Sequence, residues 1–401
     1  MVRCRRLLWL AIVLLISTLE LWAERQTGQP IDATVQMYGD EITASLLIAD
    51  PAIEVYSVFG HCALRLQNSS CLTDNTYTFE TSTDTDGIFH FFKGTALGGF
   101  VSMTTAYYLG TFEQAGRGIS EYRLNLTPAE RLKLWKAAEQ EVQKGYDCPY
   151  RYMHAQCTSM CIHLLSRALD EPIHYEALPD GLSEASFRDV MLQASEDYPW
   201  SGFFWQFLMG VEGDETEPLT DKLTPQWLPA VLQKATIANT GRHLVTDSGQ
   251  RLLDIEPGGK CCWWTAPIVV FALLLLAVTA VSISQRRRGW RVWHGITDAL
   301  LLAAHTSDSL FLLFLVCCSS QDATGWNWYL LVFNPLPQLF WFMAPAHRKN
   351  LCRFCIGMVL LQTALTPVVP QLDMAHTLFA LCFIPRLIIA GCLPSAGSRR
   401  N

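Results

Sequence analysis

The chain has 401 residues, half of them hydrophobic, with a formal net charge of −7. The charge is unevenly placed: residues 24–263 hold 17 Lys+Arg against 32 Asp+Glu, a net −15, and the remainder carries +8. An acidic block beside a basic, apolar one implies a soluble domain of roughly 200 residues joined to a membrane part, and the acidity excludes nucleic acid as a natural partner.

In chain order, residues 1–23 begin with Arg3, Arg5 and Arg6 and continue into an apolar run, the pattern of a secretory signal or uncleaved signal anchor. Residues 24–262 then read as an exported α+β domain with a membrane-proximal linker. Its first half has short β-rich runs at 42–49, 62–66, 76–81 and 120–126, bounded by turn residues. Its second half is helical. Thr127-Pro128-Ala129-Glu130 combines an N-cap, a proline at the first helical position and a glutamate able to close a capping box. A further helix starts at Cys157, with Cys161, Leu164, Leu165, Ala168 and Leu169 at core-facing spacing. Residues 263–401 are expected to form an all-α bundle of five transmembrane helices, at 267–284, 297–318, 328–344, 351–369 and 374–393. Arg286, Arg287, Arg288, Arg348-Lys349 and Arg399-Arg400 then fall inside, and Gln321-Asp322 and Gln371-Leu372-Asp373 outside. That orientation places the acidic domain outside.

Two residues carry chemistry. Cys157 at a helix start faces unpaired N–H groups and the positive end of the helix dipole, which favour thiolate. His61, at the end of Tyr56-Ser57-Val58-Phe59-Gly60-His61, is a general base if the fold brings it to the thiol. The first-turn N–H groups, with the Gln156 side chain, would hold an oxyanion. The ordinary alternative is that Cys157 is a buried apolar thiol or half of a disulfide, since the exported part has seven cysteines, and that His61 is structural. Spacing alone does not bring the two together.

The stretch Val55-Tyr56-Ser57-Val58-Phe59-Gly60-His61-Cys62-Ala63-Leu64-Arg65 resembles the Tyr-Ser-x-Phe-Gly-His-x-x-Leu-Arg segment of Lnb-type bacterial lipoprotein N-acyltransferases. Gly116-Arg117 with Leu124-Asn125-Leu126-Thr127, Tyr150-Arg151-Tyr152 with Cys157-Thr158, and Trp326-Asn327-Trp328 with Asn334-Pro335-Leu336 resemble the same family in the same order. The resemblance implies a circularly permuted papain-like, or NlpC/P60-like, exported domain with histidine before cysteine. It implies a multi-pass protein of the bacterial inner membrane with its catalytic domain on the periplasmic side. The implied reaction moves an acyl chain from a membrane phospholipid to the N-terminal amine of a diacylglyceryl-cysteine lipoprotein through a thioester on Cys157, without a cofactor.

This chain departs from the family pattern in having Gln156 before the cysteine and Tyr77-Thr78-Phe79-Glu80-Thr81 as the strand after the histidine. Glu80 is the candidate for orienting the imidazole, because a carboxylate fixes the tautomer and stabilises imidazolium. Arg65, on the His61 face of its strand, and Arg117 are candidate phosphate ligands, since a guanidinium grips phosphate bidentately. Tyr56 in the shared stretch and Gln156 complete the expected substrate-binding set. A cell-wall peptidase or amidase with the same pair, and a non-catalytic interaction protein, are the alternatives.

In the membrane part, His294, Asp298, His305 and Asp308 recur on one helical face, and Asp308 lies at a depth where it needs a partner. Arg386, at similar depth in the last span, is that expected partner. Cys352-Arg353-Phe354-Cys355 with His347 lacks a fourth ligand, so no metal is expected. No phosphate-loop or dinucleotide fingerprint occurs.

Overall fold

A computed structural model describes residues 39–82, 87–175, 184–215, 218–256, 258 and 262–392. The expected signal at 1–23 lies outside them. The first part runs β1 (Ile42–Ala49), β2 (His61–Asn68), β3 (Thr73–Thr81), α1 (Ile88–Lys93), β4 (Leu97–Thr104), α2 (Thr105–Gln114), β5 (Ile119–Arg123), α3 (Pro128–Lys144), β6 (Cys148–Pro149) and α4 (Cys157–Ala168). It continues with β7 (Ile173–Tyr175), α5 (Phe187–Ala194), α6 (Pro199–Leu208), α7 (Leu219–Lys222), α8 (Leu228–Lys234), β8 (Ala235–Ile237), β9 (Arg242–His243) and β10 (Gln250–Leu253). Seven strands form an antiparallel sheet in the order β10-β5-β1-β2-β3-β4-β6, and β7-β8-β9 form a second one.

The four β-rich runs become strands β1, β2, β3 and β5. Strand β4, unsuspected in the sequence, is disguised by Gly98-Gly99. A Cβ at Gly98 would collide with the Phe79 ring and one at Gly99 with the Gly145 carbonyl, so close packing demands these glycines. On one face of the sheet, Leu64, Leu66, Tyr77 and Phe79 pack against Leu134 and Trp135 of α3 and Leu164 and Leu165 of α4. Each large apolar side chain so buried stabilises the fold by about 1.5–3 kcal/mol before entropy is counted. The other face is covered by α2, where Tyr108 packs with Leu47, Ala49, Ala63 and Ile119. The capping box at α3 forms as its sequence implies, Glu130 N donating to Thr127 Oγ1 at 3.3 Å and Thr127 N to Glu130 Oε2 at 2.7 Å.

The membrane part contains α9 (Pro267–Arg288), α10 (Val292–Cys318), α11 (Pro345–Leu365), α12 (Met374–Leu381) and α13 (Ile384–Cys392). Among the described residues, three segments are long and apolar enough to cross a membrane: Pro267–Arg288, Val292–Cys318 and Met374–Gly391. The span expected at 328–344 is not an α-helix. Two 3-10 turns, Trp328–Leu331 and Leu336–Trp341, replace it, because Pro335 and Pro337 cannot donate to a helical ladder. Asn334 Nδ2 donates to the carbonyls of Leu330 and Leu331 at 3.0 Å, satisfying groups that an α-helix would have paired. Helix α11 carries Arg348, Lys349 and Arg353 in its first turns, which shortens its apolar length. The last segment breaks at Cys382-Phe383, just ahead of Pro385.

The expected Asp308–Arg386 pair does not form. Arg386 grips Asp298 through Nε at 2.6 Å and Nη2 at 2.8 Å, and donates to Gln285 Oε1 at 2.7 Å and Ser282 Oγ at 3.3 Å. Its long side chain reaches toward the carboxylate near the inner helix ends, where an ionised pair is less costly than at mid-depth.

A second hydrophobic core joins the two parts. Val58, Tyr152, Trp205 and Phe207 of the exported domain pack in one cluster with Phe271, Leu312, Tyr329 and Phe379 of the membrane helices. Gln206 Nε2 donates to Gln371 O at 2.7 Å, and Asn327 Nδ2 to Phe207 O at 2.9 Å. The exported domain is therefore seated on the bundle through packed side chains.

Candidate active site

His61 is the first residue of β2 and follows Gly60, whose φ of +82° and approach to the Ala49 carbonyl exclude a side chain. The β1–β2 loop that delivers it is held from outside the sheet. Trp205 Nε1 donates to Val55 O at 3.0 Å, and Gln226 Nε2 to Val58 O at 2.9 Å. Phe59 packs edge-on against Trp205, 5.3 Å between centroids.

Cys157 is the first residue of α4. Its N-cap, Gln156, accepts from Thr158 N at 2.7 Å through Oε1 and donates through Nε2 to Leu223 O at 3.1 Å. Gln156 thus holds the helix start through both ends of its amide, with one Nε2–H engaged at Leu223 O. The loop before it is clasped from the membrane side. Asp322, just beyond α10, accepts from the N–H groups of Tyr152 at 2.8 Å, Met153 at 3.1 Å and His154 at 3.2 Å, and meets His154 Nδ1 at 2.9 Å. Gln321 adds donations to Phe91 O at 3.1 Å and Tyr150 O at 3.0 Å.

The fold brings His61 near enough to Cys157 for its imidazole to favour the thiolate, while the thiol's own contacts are Gln156 Oε1 at 3.8 Å and Thr158 Oγ1 at 4.0 Å. The resting thiol nonetheless departs from expectation. The hydrogen bond to the Cys62 thiol and burial hold Cys157 well above the ordinary cysteine range, against the opposing pull of His61. Helix-dipole stabilisation is thereby outweighed, and the thiol form of Cys157 is favoured. Cys62, Cys157 and Cys161 are all free and buried. Cys62 Sγ lies 3.9 Å from Thr158 Oγ1, which is 4.0 Å from Cys157 Sγ.

The imidazole's direct partner is Thr78, whose Oγ1 is 2.7 Å from His61 Nε2. Glu80 stands one step behind. Burial pushes its carboxyl up, and a hydrogen bond from Thr78 pulls the other way. The donor and acceptor in this bond follow the imidazole tautomer, and Nδ1 is the ring nitrogen that Thr78 does not engage. Residues 78 and 80 share a strand face, so chemistry alone favours the carboxylate. Register continued from the Ala63–Thr78 pair would set Glu80 opposite His61 as well, but the ladder stops at Ala63 and the imidazole crosses to the Thr78 hydroxyl one pair along.

The remaining expected ligands separate. Arg65 is spent on Asp74, at 2.8 Å through Nε and 2.6 Å through Nη2, and on Glu121 at 3.0 Å through Nη1. It is a sheet-face ion pair, and its expected role as a head-group ligand loses its donors. Arg117 differs. Its Nε donates to Asp50 O at 2.8 Å and its guanidinium lies 4.8 Å from the centroid of Phe112, the ring stacked near His61 at 6.2 Å. Its Nη2 is buried with no partner among the described residues. Tyr56 is exposed on the loop leading to His61.

Comparison with known families accounts for both parts. Residues 31–188 match the Lnb N-terminal periplasmic domain and residues 260–395 the Lnb transmembrane domain. The chain belongs to the Lnb-type lipoprotein N-acyltransferase family. It is accordingly a membrane protein with a periplasmic domain. No curated protein and no solved structure matches this Lnb-type chain.

Proposed function

We propose that this Lnb-type protein transfers an acyl chain from a phospholipid to the free N-terminal amine of diacylglyceryl-cysteine lipoproteins, on the periplasmic side of the bacterial inner membrane. Cys157 Sγ attacks an ester carbonyl of the donor while His61 takes the thiol proton. His61 returns that proton to the departing glycerol oxygen, which leaves a lysophospholipid and a thioester on Cys157. The acceptor amine then attacks the thioester, its proton passing to His61 and on to the departing sulfur, so that an amide forms and the thiol is restored. Thr78, backed by Glu80, holds the imidazole in the tautomer that both steps need. The Cys157 amide at the helix start is the donor proposed for the oxyanion. Arg117, with its unpartnered N–H, is the proposed ligand for the donor phosphate, and Tyr56 lines the approach.

The observation that carries this reading is the gathering of Cys157, His61 and Thr78 in a domain whose core runs on into helices long and apolar enough to cross a membrane. The pairing of a helix-start thiol with a strand-end imidazole is also what supports the permuted papain-like assignment, and a polypeptide substrate alone would not call for the bundle. The test is Cys157→Ala in cells that depend on this protein. Mass spectra of lipoprotein N-termini should change from triacylated to diacylated. Unchanged triacylation would remove the reading and leave a cell-wall amidase or a non-catalytic role.

A further inference from the structure

The short helix α1 leaves a large apolar surface uncovered in the exported domain. Ile88 is 72% and Phe89 57% exposed, on a helix of only six residues. Neither packs into the core of its own domain, and an apolar pair of this size left in water is costly.

Its seat tells what covers it. The Phe89 ring lies 5.3 Å from Phe314 of α10, and the Phe92 ring 5.3 Å from Phe311 one turn further in. The carbonyls at the end of α1 are held by the segment just beyond α10: Ser319 Oγ donates to Phe92 O at 2.6 Å, Ser320 N to Lys93 O at 2.9 Å, and Gln321 Nε2 to Phe91 O at 3.1 Å. Gly94, at φ +74°, is pressed against Gln321 N so closely that a Cβ there would stand 2.6 Å away. The helix is therefore fixed at the outer end of a membrane-spanning helix, and its exposed face continues the lipid-facing surface on which Leu310 is 60% exposed. Lys93 Nζ lies 5.8 Å from the Phe89 centroid, where a cation over an apolar body suits the phosphate level of a bilayer.

We propose that α1 is an in-plane membrane helix whose Ile88 and Phe89 are covered by acyl chains of the outer leaflet. Its opposite side points toward the loop before Cys157: the Phe91 ring lies 5.1 Å from that of Tyr152, tilted by 49°, five residues before Cys157. Helix α1 is thus the partition between bilayer lipid and the nucleophile loop. The lipid contact stands without the acyltransferase reading, whereas its use as an entrance for the acyl donor rests on that reading.

The test places a photo-crosslinking benzoylphenylalanine at position 88, or in a second variant at 89, of the full chain in phospholipid vesicles. Leu310 serves as the lipid-exposed control and Leu72, 93% exposed on the β2–β3 turn, as the control away from the bilayer. Lipid adducts at 88 or 89 comparable with those at 310, and none at 72, are expected. Adducts at 310 with none at either α1 position would overturn the proposal, whatever the fate of catalysis. For the entrance, Ile88→Glu with Phe89→Glu should lower kcat/KM for bilayer phospholipid about tenfold or more, the factor expected from expelling large apolar side chains from lipid, and spare a short-chain soluble donor. Equal losses with both donors would contradict an entrance role while leaving the lipid contact standing.

Discussion

The two halves of the proposed catalytic pair are supported from different directions. His61 is a sheet residue: β2 carries it, Gly60 turns it, and Thr78 on the neighbouring strand holds its ring through one 2.7 Å hydrogen bond. Cys157 stands on a helix whose preceding loop hangs from the membrane part, through four contacts to the single carboxylate of Asp322. The helix that carries Cys157 packs on the sheet that carries His61, and the membrane part adds a second hold on the loop before it. In the proposed mechanism, the sheet side bears on proton transfer and the contacts from the bundle bear on the position of the loop before Cys157.

Variants on the two sides should therefore fail differently. Asp322→Ala removes the carboxylate that accepts from the N–H groups of Tyr152, Met153 and His154 and meets the His154 ring, and so loosens the loop before Cys157. A misplacement of about 1 Å costs on the order of a hundredfold, so kcat/KM should fall by roughly that factor while its pH profile keeps its shape. A changed profile would show that Asp322 acts on proton transfer instead. Thr78→Val keeps the volume of the side chain and removes the hydroxyl that meets Nε2. A loss of roughly tenfold or more is expected, a fraction of the 10²–10⁴ that general acid–base catalysis contributes, accompanied by a shifted pH profile. Thr78→Ser should restore both; failure to do so would argue for a packing role. The smallest effect belongs to Cys62→Ala. The Cys62 thiol raises Cys157, so its removal lowers the Cys157 pKa and increases the thiolate fraction at any pH below that value. Alkylation of Cys157 followed against pH should move to lower pH by an amount that speeds the reaction a few-fold. An unmoved curve would mean that burial alone holds the thiol.

How far these features were legible in the sequence differs along the chain. Periodicity and capping chemistry are local, and so β1 and the starts of α3 and α4 can be read from neighbouring residues. Strand β4 was not legible, because Gly98 and Gly99 answer to the Phe79 ring and Gly145, partners distant in the chain. The same holds at the site. His61 and Cys157 announce their chemistry by type, but the contact of His61 with Thr78 rather than Glu80 depends on where the β2–β3 ladder stops, and the engagement of Arg65 depends on which acids lie opposite. Register is a long-range quantity that no single strand contains. In the bundle, hydropathy marks apolar length and says little about helix continuity, which Pro335, Pro337 and Pro385 decide.

The central claim is that Cys157 carries the acyl group. Its most direct measurement is the intact mass of the purified full-length protein after incubation with a defined phospholipid and no acceptor. A mass increase of one acyl chain, mapped to the peptide holding Cys157, removed by neutral hydroxylamine and accompanied by lysophospholipid, is the predicted result. Lysophospholipid formed by an unmodified Cys157, or acyl transfer that persists in Cys157→Ala, would contradict it.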